Sequence, residues 1–278
     1  MGRSQKIMAV NKKYIIGIDI GGSKINAILF SNGKILKSGK IPTLKKSRKE
    51  FLEKLEALVK KLISDTGNKK IFGIGCGVAG TLDLKSGMIL KSHNLKILDG
   101  FNIKNWLYKK FNCEVKIDND ARCFLRAEYI FGAGRGYKNL IGITLGTGVG
   151  GGIIINGKMF YGANDSAGEL GQMVIDREKD LETLTVKLVR KLKFSKIAVK
   201  EFEKNLGTGL ANIINIIDPE MIIIGGGAAK TAKENLAKVE MMATKFIISL
   251  KSRKNVKIII GKLGENAGAM GATALFLE

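Results

Sequence analysis

Asp118-Asn119-Asp120-Ala121 places three polar side chains where a short strand, Val115 to Ile117, gives way to a helical pattern. Asp118 or Asn119 suits a helix N-cap, whose side-chain oxygen receives an otherwise orphaned backbone N–H. Asp120 suits a second use. A carboxylate within hydrogen-bond reach of a hydroxyl can take its proton as that oxygen attacks a phosphoryl group. Beyond such a base, the chemistry asks mainly for a hydrated magnesium ion and donors for the phosphate oxygens.

Asp19-Ile20-Gly21-Gly22-Ser23-Lys24 supplies candidates for both. Asp19 ends an apolar strand, and one carboxylate can hold a hydrated Mg²⁺ that also takes phosphate and water ligands. Gly21 and Gly22 permit a tight turn and a close backbone approach to an anion. Leu145-Gly146-Thr147-Gly148-Val149-Gly150 repeats the device, with Thr144 in the place of Asp19. Either turn alone also reads as an ordinary hairpin. Two related by a repeat form a pair able to clamp a phosphate chain. Gly225-Gly226-Gly227, after the apolar run 221–224, is either a plain strand-to-helix turn or a floor under a nucleotide base or ribose. Glu169, in Ala167-Gly168-Glu169-Leu170-Gly171, lies among glycines in a setting suited to a polyol or to a plain surface residue. The P-loop pattern is absent, and no helix opens at these turns in the Rossmann manner.

The elements that position these residues come from an internal repeat. IIGIDIGGSKINAILF at 15–30 matches LIGITLGTGVGGGIII at 140–155, with glycines aligned at 17/142 and 21/146. One residue out of that register, Asn32-Gly33-Lys34 matches Asn156-Gly157-Lys158. Each copy reads as strand, glycine turn, strand and Asn-Gly hairpin. Helices are predicted over about 47–66, 120–131, 206–217 (stopped by Asp218-Pro219) and 266–277; strands over 71–78, 115–117, 221–224 and 258–260. Strands alternating with helices imply mixed α/β sheets covered on their faces. Two similar α/β halves are expected, 1–118 and 119–265, with a hinge near 117–120 and the helix at about 266–278 returning to the first.

The bulk composition agrees. At ~100–200 residues per domain, a chain of 278 residues has room for two. With 45% hydrophobic and 26% charged residues it is globular, not disordered, collagen-like or a disulfide scaffold. Its 47 basic against 25 acidic residues give +22, spread along the chain as a lysine-rich surface without an aromatic-interleaved or zinc-finger pattern. An anionic phosphate chain fits that charge as well as a duplex does. Cys76, Cys113 and Cys123 make no CxxC, and His93 is the one histidine, so no zinc site is expected. Met1 to Lys13 lacks an apolar leader core, and no run approaches the ~20 apolar residues of a membrane span, so the expected setting is soluble and cytoplasmic.

Taken together, IGIDIGGSKINAIL, GVAGTLD (77–83), DNDA (118–121), LGTGVGGGIIING (145–157), AGELG (167–171) and IDPEMIIIGGG (217–227) resemble the ROK family of sugar kinases and repressors, within the actin-like and hexokinase-like ATPase superfamily. The resemblance runs from about residue 14 to the C-terminus. It implies two ribonuclease H-like, actin-like α/β domains with a ligand cleft between them. Asp120 takes the place of the catalytic base, and Asn119, Asn94, Glu169 and Glu182 those of sugar contacts. The segments 19–24 and 145–150 take the place of the ATP phosphate loops and 225–227 that of the adenosine motif.

Two departures stand out. Gln172 replaces the histidine of the family's E-x-G-H motif, and the CxCGxxGC zinc segment is missing, replaced by a short basic stretch between Asp176 and Leu206. That histidine helps bind zinc in typical members, so the metal site is lost as a unit while the catalytic parts remain. Gln172 keeps hydrogen-bonding capacity toward a hydroxyl. The expectation is therefore a zinc-free, ATP- and Mg²⁺-dependent hexose kinase, glucose foremost, acting as a homodimer. Inorganic polyphosphate is the alternative donor. The non-enzyme alternative is a sugar sensor or repressor. Against it, family repressors carry a DNA-binding domain before the first phosphate loop, where only 13 residues precede Tyr14, so no DNA partner is expected.

Overall fold

A computed structural model describes residues 13–64, 66, 70–189, 191 and 195–277. The basic stretch Met1–Lys12, read above as carrying no leader, lies outside the described residues, as does part of the stretch that replaces the zinc segment. In chain order the elements are β1 (Tyr14–Ile20), β2 (Lys24–Ser31), β3 (Lys34–Pro42), α1 (Arg48–Ser64), β4 (Ile71–Val78), β5 (Thr81–Asp83), β6 (Met88–Lys91), β7 (Phe101–Asn102), α2 (Ile103–Phe111), β8 (Glu114–Asn119) and α3 (Asp120–Phe131). There follow β9 (Leu140–Leu145), β10 (Val149–Ile155), β11 (Lys158–Met159), β12 (Val174–Asp176), β13 (Lys179–Asp180), α4 (Leu181–Val189), α5 (Lys196–Ile217), β14 (Met221–Gly225), α6 (Ala229–Thr244), α7 (Leu250–Asn255), β15 (Lys257–Ile260) and α8 (Ala267–Ala274).

The chain packs as two units, one running to Ala127 and resuming at Asn266, the other spanning Glu128–Glu265. Each is built on a five-stranded sheet of the same design. The first has the order β3-β2-β1-β4-β8, the second β11-β10-β9-β14-β15. In both, a leading hairpin pairs antiparallel and the last two strands join parallel. Each sheet contributes to its own hydrophobic core. Both units are thus mixed α/β structures of one design, as the internal repeat predicts.

The one-residue slip in the repeat has a structural cause. Ile20 pairs with Ile25 across four turn residues, whereas Leu145 pairs with Val149 across three. The second copy is shorter in its glycine turn, so everything beyond moves by one. Both Asn-Gly hairpins adopt left-handed backbone at their two central residues, φ 52° and 73° at Asn32-Gly33 and 52° and 77° at Asn156-Gly157, as a type I′ turn requires.

Helix α1 buries Phe51, Leu55, Leu58, Val59 and Leu62, the face its periodicity predicts. Helix α5 begins ten residues before the expected 206, because Ser195 Oγ caps it at the Ala198 N–H (3.2 Å) and Ala198 and Phe202 extend the apolar face. At its other end Asp218 adopts a left-handed conformation and Pro219 follows. The expected division after residue 118 falls instead after Ala127. The first turns of α3 are bound to the first unit: Asp118 at the end of β8 pairs with Arg122 and Arg126, and Gly271 of α8 lies on the Cys123 carbonyl with no room for a side chain. No helix among the described residues is long and apolar enough to cross a membrane.

Candidate active site

In the first unit the residues of interest gather at the C-terminal ends of parallel strands, where α/β sheets present ligand sites. Strand registry sets Asp19 beside Gly77 and Gly77 beside Asp118, so three neighbouring strands end together. Asp118 is fully buried. Its Oδ1 accepts from Arg122 Nη1 at 3.2 Å and from the Asn119 N–H at 2.8 Å, and its Oδ2 accepts from Arg126 Nη2 at 2.8 Å. A buried carboxylate is tolerable only when paired in this way. Asp118 is thus an anchor beneath the site, not an N-cap.

Asn119 caps the helix. Its Oδ1 accepts from the N–H groups of Ala121 (2.9 Å) and Arg122 (3.3 Å), while Nδ2 donates to the Gly80 carbonyl at 3.2 Å. Asp120 opens α3, half-buried, with its Oδ1 accepting from the Ala121 N–H. Helix start, strand end and the loop at Gly80 are therefore locked around Asp120. Ser92 Oγ donates to the Ala79 carbonyl at 2.6 Å, drawing in the loop that carries Asn94.

Asp19 is half-buried close to Asp120. Burial, then the charge of Asp120, pushes its carboxyl up to about 7, against a smaller pull downward from Lys24. A cation would relieve that cost. One carboxylate beside an open glycine turn matches a hydrated Mg²⁺ that takes its remaining ligands from water and phosphate. No cluster of three or more acidic, histidine or cysteine ligands occurs among the described residues, so a cation here would take most of its ligands from water and phosphate.

The first turn is clasped by the Gly21 N–H to the Lys24 carbonyl (3.1 Å) and pinned by Thr43, whose Oγ1 donates to the Gly21 carbonyl at 2.8 Å and whose N–H donates to the Ser23 carbonyl. Ser23 is exposed and Lys24 half-buried. The reason for glycine differs from the expectation. Neither Gly21 nor Gly22 has positive φ, and nor do Gly146, Gly148 and Gly150. Gly22 is required by proximity, because a side chain there would collide with Asn94. That contact places Asn94 against the first turn. Gly268 of α8 plays the same part for Asp19, lying against its carboxylate.

In the second unit the Gly146–Gly148 turn closes through the Gly146 N–H and the Gly148 carbonyl at 2.9 Å, with Gly146 and Thr147 exposed. Gly150 pairs with Thr144 across the hairpin. Gly225 ends β14 opposite Thr144, Gly226 (φ 87°) packs on Leu145, and the Ala228 N–H donates to the Leu145 carbonyl. The structure thus joins the second glycine turn to 225–227. Gly168 and Gly171 lie against Gly151 and Val149 of β10, carrying Glu169 and Gln172 beside that strand, both exposed. Glu182, in the first turn of α4, reaches the Val149 N–H at 2.7 Å.

Sequence reading missed Thr43, Gly268 and the Arg122–Asp118–Arg126 group. Thr43 and Gly268 are defined by contacts across 22 and 249 residues, which no local pattern carries. Arg122 and Arg126 are legible only as charges on a helix. Burial pushes the thiols of Cys76, Cys113 (to about 11) and Cys123 up, so none is a thiolate at neutral pH.

An α/β unit built twice on one sheet design, with a buried acidic strand edge in one copy and a glycine-turn pair in the other, is the framework of the actin-like superfamily. Within that class the chain belongs to the ROK family, whose model matches residues 15–183 and 177–278. A glucokinase of Halalkalibacterium halodurans is 29% identical, the match covering 94% of each chain. A xylose repressor of Caldicellulosiruptor bescii is also 29% identical, over all of this chain and 82% of its own. The crystal structure of a ROK family glucokinase from Streptomyces griseus in complex with glucose and AMPPNP superposes with a TM-score of 0.83 at 26% identity, covering 94% of this chain and 98% of that one.

Proposed function

We propose that this protein transfers the γ-phosphoryl group of ATP to a hydroxyl of a hexose, with glucose the foremost acceptor. The observation that carries the reading is Asp120. A half-buried carboxylate, held by the Asn119 cap above the Asp118 anchor and set close to Asp19, is arranged as a base beside a cation site.

In this reading the sugar hydroxyl oxygen attacks the γ-phosphorus, the bond from that phosphorus to the bridging oxygen of ADP breaks, and the hydroxyl proton passes to the Asp120 carboxylate. Magnesium, when bound, would neutralise charge on the phosphate oxygens. Asp19 would hold its water ligands. Asn94, Asn119, Glu169 and Gln172 are the proposed acceptor contacts. The turns 21–24 and 146–150 would receive phosphate, and 225–227 the adenosine. Asn119 Oδ1 already serves two N–H groups, so its Nδ2 is the atom offered to a sugar oxygen, in exchange for the Gly80 carbonyl. We further infer a homodimer without zinc.

The test is ADP release from ATP and Mg²⁺ across a panel of hexoses and N-acylated hexoses, with a parallel arm supplying inorganic polyphosphate. Sugar-dependent turnover is expected, falling roughly 10²–10⁴-fold in Asp120→Asn with the fold retained. Turnover that survives the substitution removes Asp120 from the role of base. No turnover with any sugar and either donor would overturn the kinase reading.

A further inference from the structure

The second glycine turn is held by a carboxylate from outside the hairpin. Glu182 Oε2 accepts from the Val149 N–H at 2.7 Å, and the same carboxylate lies against Gly148, where any side chain would strike it. The turn reaches solvent: Gly146 has free space around it, and Gly146 and Thr147 are exposed. Glu182 is presented from a firm base. Asp180 Oδ1 accepts from the Thr183 N–H at 2.6 Å and caps α4, the Leu181 N–H donates to the Met173 carbonyl, and the Leu181 side chain is buried against Gly209. In the repeat, the first turn has Asp19 at its strand end whereas the second has Thr144, so the carboxylate at the second turn arrives from a helix 33 residues beyond Val149.

We propose that Glu182 is a positioning residue for the donor side: by accepting the Val149 N–H it fixes the Gly146–Gly148 turn in the shape that receives the donor phosphates. A carboxylate that consumes an amide donor and adds negative charge is poorly placed to bind phosphate itself. Its effect passes through the geometry of the turn. This inference rests on the kinase reading and adds a donor-side role to a residue that family resemblance assigns to the sugar.

The experiment pairs Glu182→Ala with Glu182→Gln, which keeps an acceptor for the Val149 N–H. ATP binding is measured directly by calorimetry, independent of turnover, and the KM values for ATP and hexose are measured alongside. Glu182→Ala is expected to weaken ATP binding about 10-fold to 100-fold, the range for losing a hydrogen bond to a charged group, with hexose KM changed less than about 3-fold. Glu182→Gln is expected to recover most of the ATP affinity. If Glu182→Ala does not fold, Glu182→Gln carries the test, since a Gln variant that loses ATP affinity by 10-fold or more overturns the hydrogen-bond role. A raised hexose KM with unchanged ATP binding overturns it in favour of a sugar contact. ATP binding by the wild type without sugar-dependent turnover defeats the kinase reading alone, and the calorimetric comparison still decides Glu182. A wild type that binds no ATP defeats both.

Discussion

Asp19 concentrates the electrostatic problem of the site. Its carboxyl titrates near 7 in the folded chain and near 3.8 when unfolded, because burial and the Asp120 charge disfavour its anion. Between these values the folded state binds more protons than the unfolded state, so stability falls as pH rises from about 4 to about 7. The cost is complete above the folded value. It amounts to about 4 kcal/mol. Denaturant unfolding of the ligand-free protein at pH 5 and pH 7.5 should show this decline, and Asp19→Asn should flatten it. A decline of equal size in the Asn variant would assign the effect to other groups. Added Mg²⁺ and nucleotide should restore stability at the higher pH, through binding to the folded state.

The elements around the site are held by close approaches of backbone to backbone. Gly17 of β1 and Gly75 of β4 admit the Ala269 and Ala272 carbonyls of α8, and Gly271 of α8 admits the Cys123 carbonyl of α3. Helix α8 therefore seats against the sheet and the helix that carries Asp120. A methyl group at 271 has no flexible neighbour to displace, so Gly271→Ala should cost on the order of 3 kcal/mol and lower Tm by roughly 10 °C. Thermal melting checks it. An unchanged Tm would mean that α8 shifts at no cost. The exposed edge strand β3 shows the complementary device, with Lys34, Lys37 and Lys40 along it, a pattern that discourages pairing with another chain.

At the scale of the whole molecule, charge and apolar surface part company. Lysine covers much of the chain, yet the second unit exposes Ile216, Phe246, Ile248 and Leu250, the last two at 84% and 76%. Asn215 ties them together: its Nδ2 donates to the Phe246 carbonyl and its Oδ1 accepts from the Ile248 N–H. These side chains expose on the order of 500 Å², the size of the largest apolar patch on a typical monomer and a large share of the ~800 Å² each partner gives to a standard interface. A second copy is the proposed occupant. Between Met241 and Gly264 there are six basic and no acidic residues, so two copies would set like charges along the rim. Light scattering should report a dimer that strengthens with salt, as screening relieves the rim, and a monomer in Ile248→Ser/Leu250→Ser. Weakening with salt would indicate a polyanionic partner instead.

What the sequence determined by itself was whatever local rules decide. Strands 71–78 and 221–224, both Asn-Gly hairpins, the amphipathic α1 and the repeat that implies two like units all follow from period, φ preference and turn chemistry. The glycine turns were legible as turns, though not their reason. Gly22 and Gly148 serve contacts with Asn94 and Glu182, not positive φ. Tertiary structure alone decided those partners. It turned Asp118 from a possible cap into a buried anchor, since Arg122 and Arg126 fold inward only where a carboxylate meets them. It also moved the unit boundary to Ala127 and set Glu182 on Val149. Most of these contacts join residues far apart in sequence, and the energies of all of them depend on burial and distance. Neither exists until the chain has closed on itself.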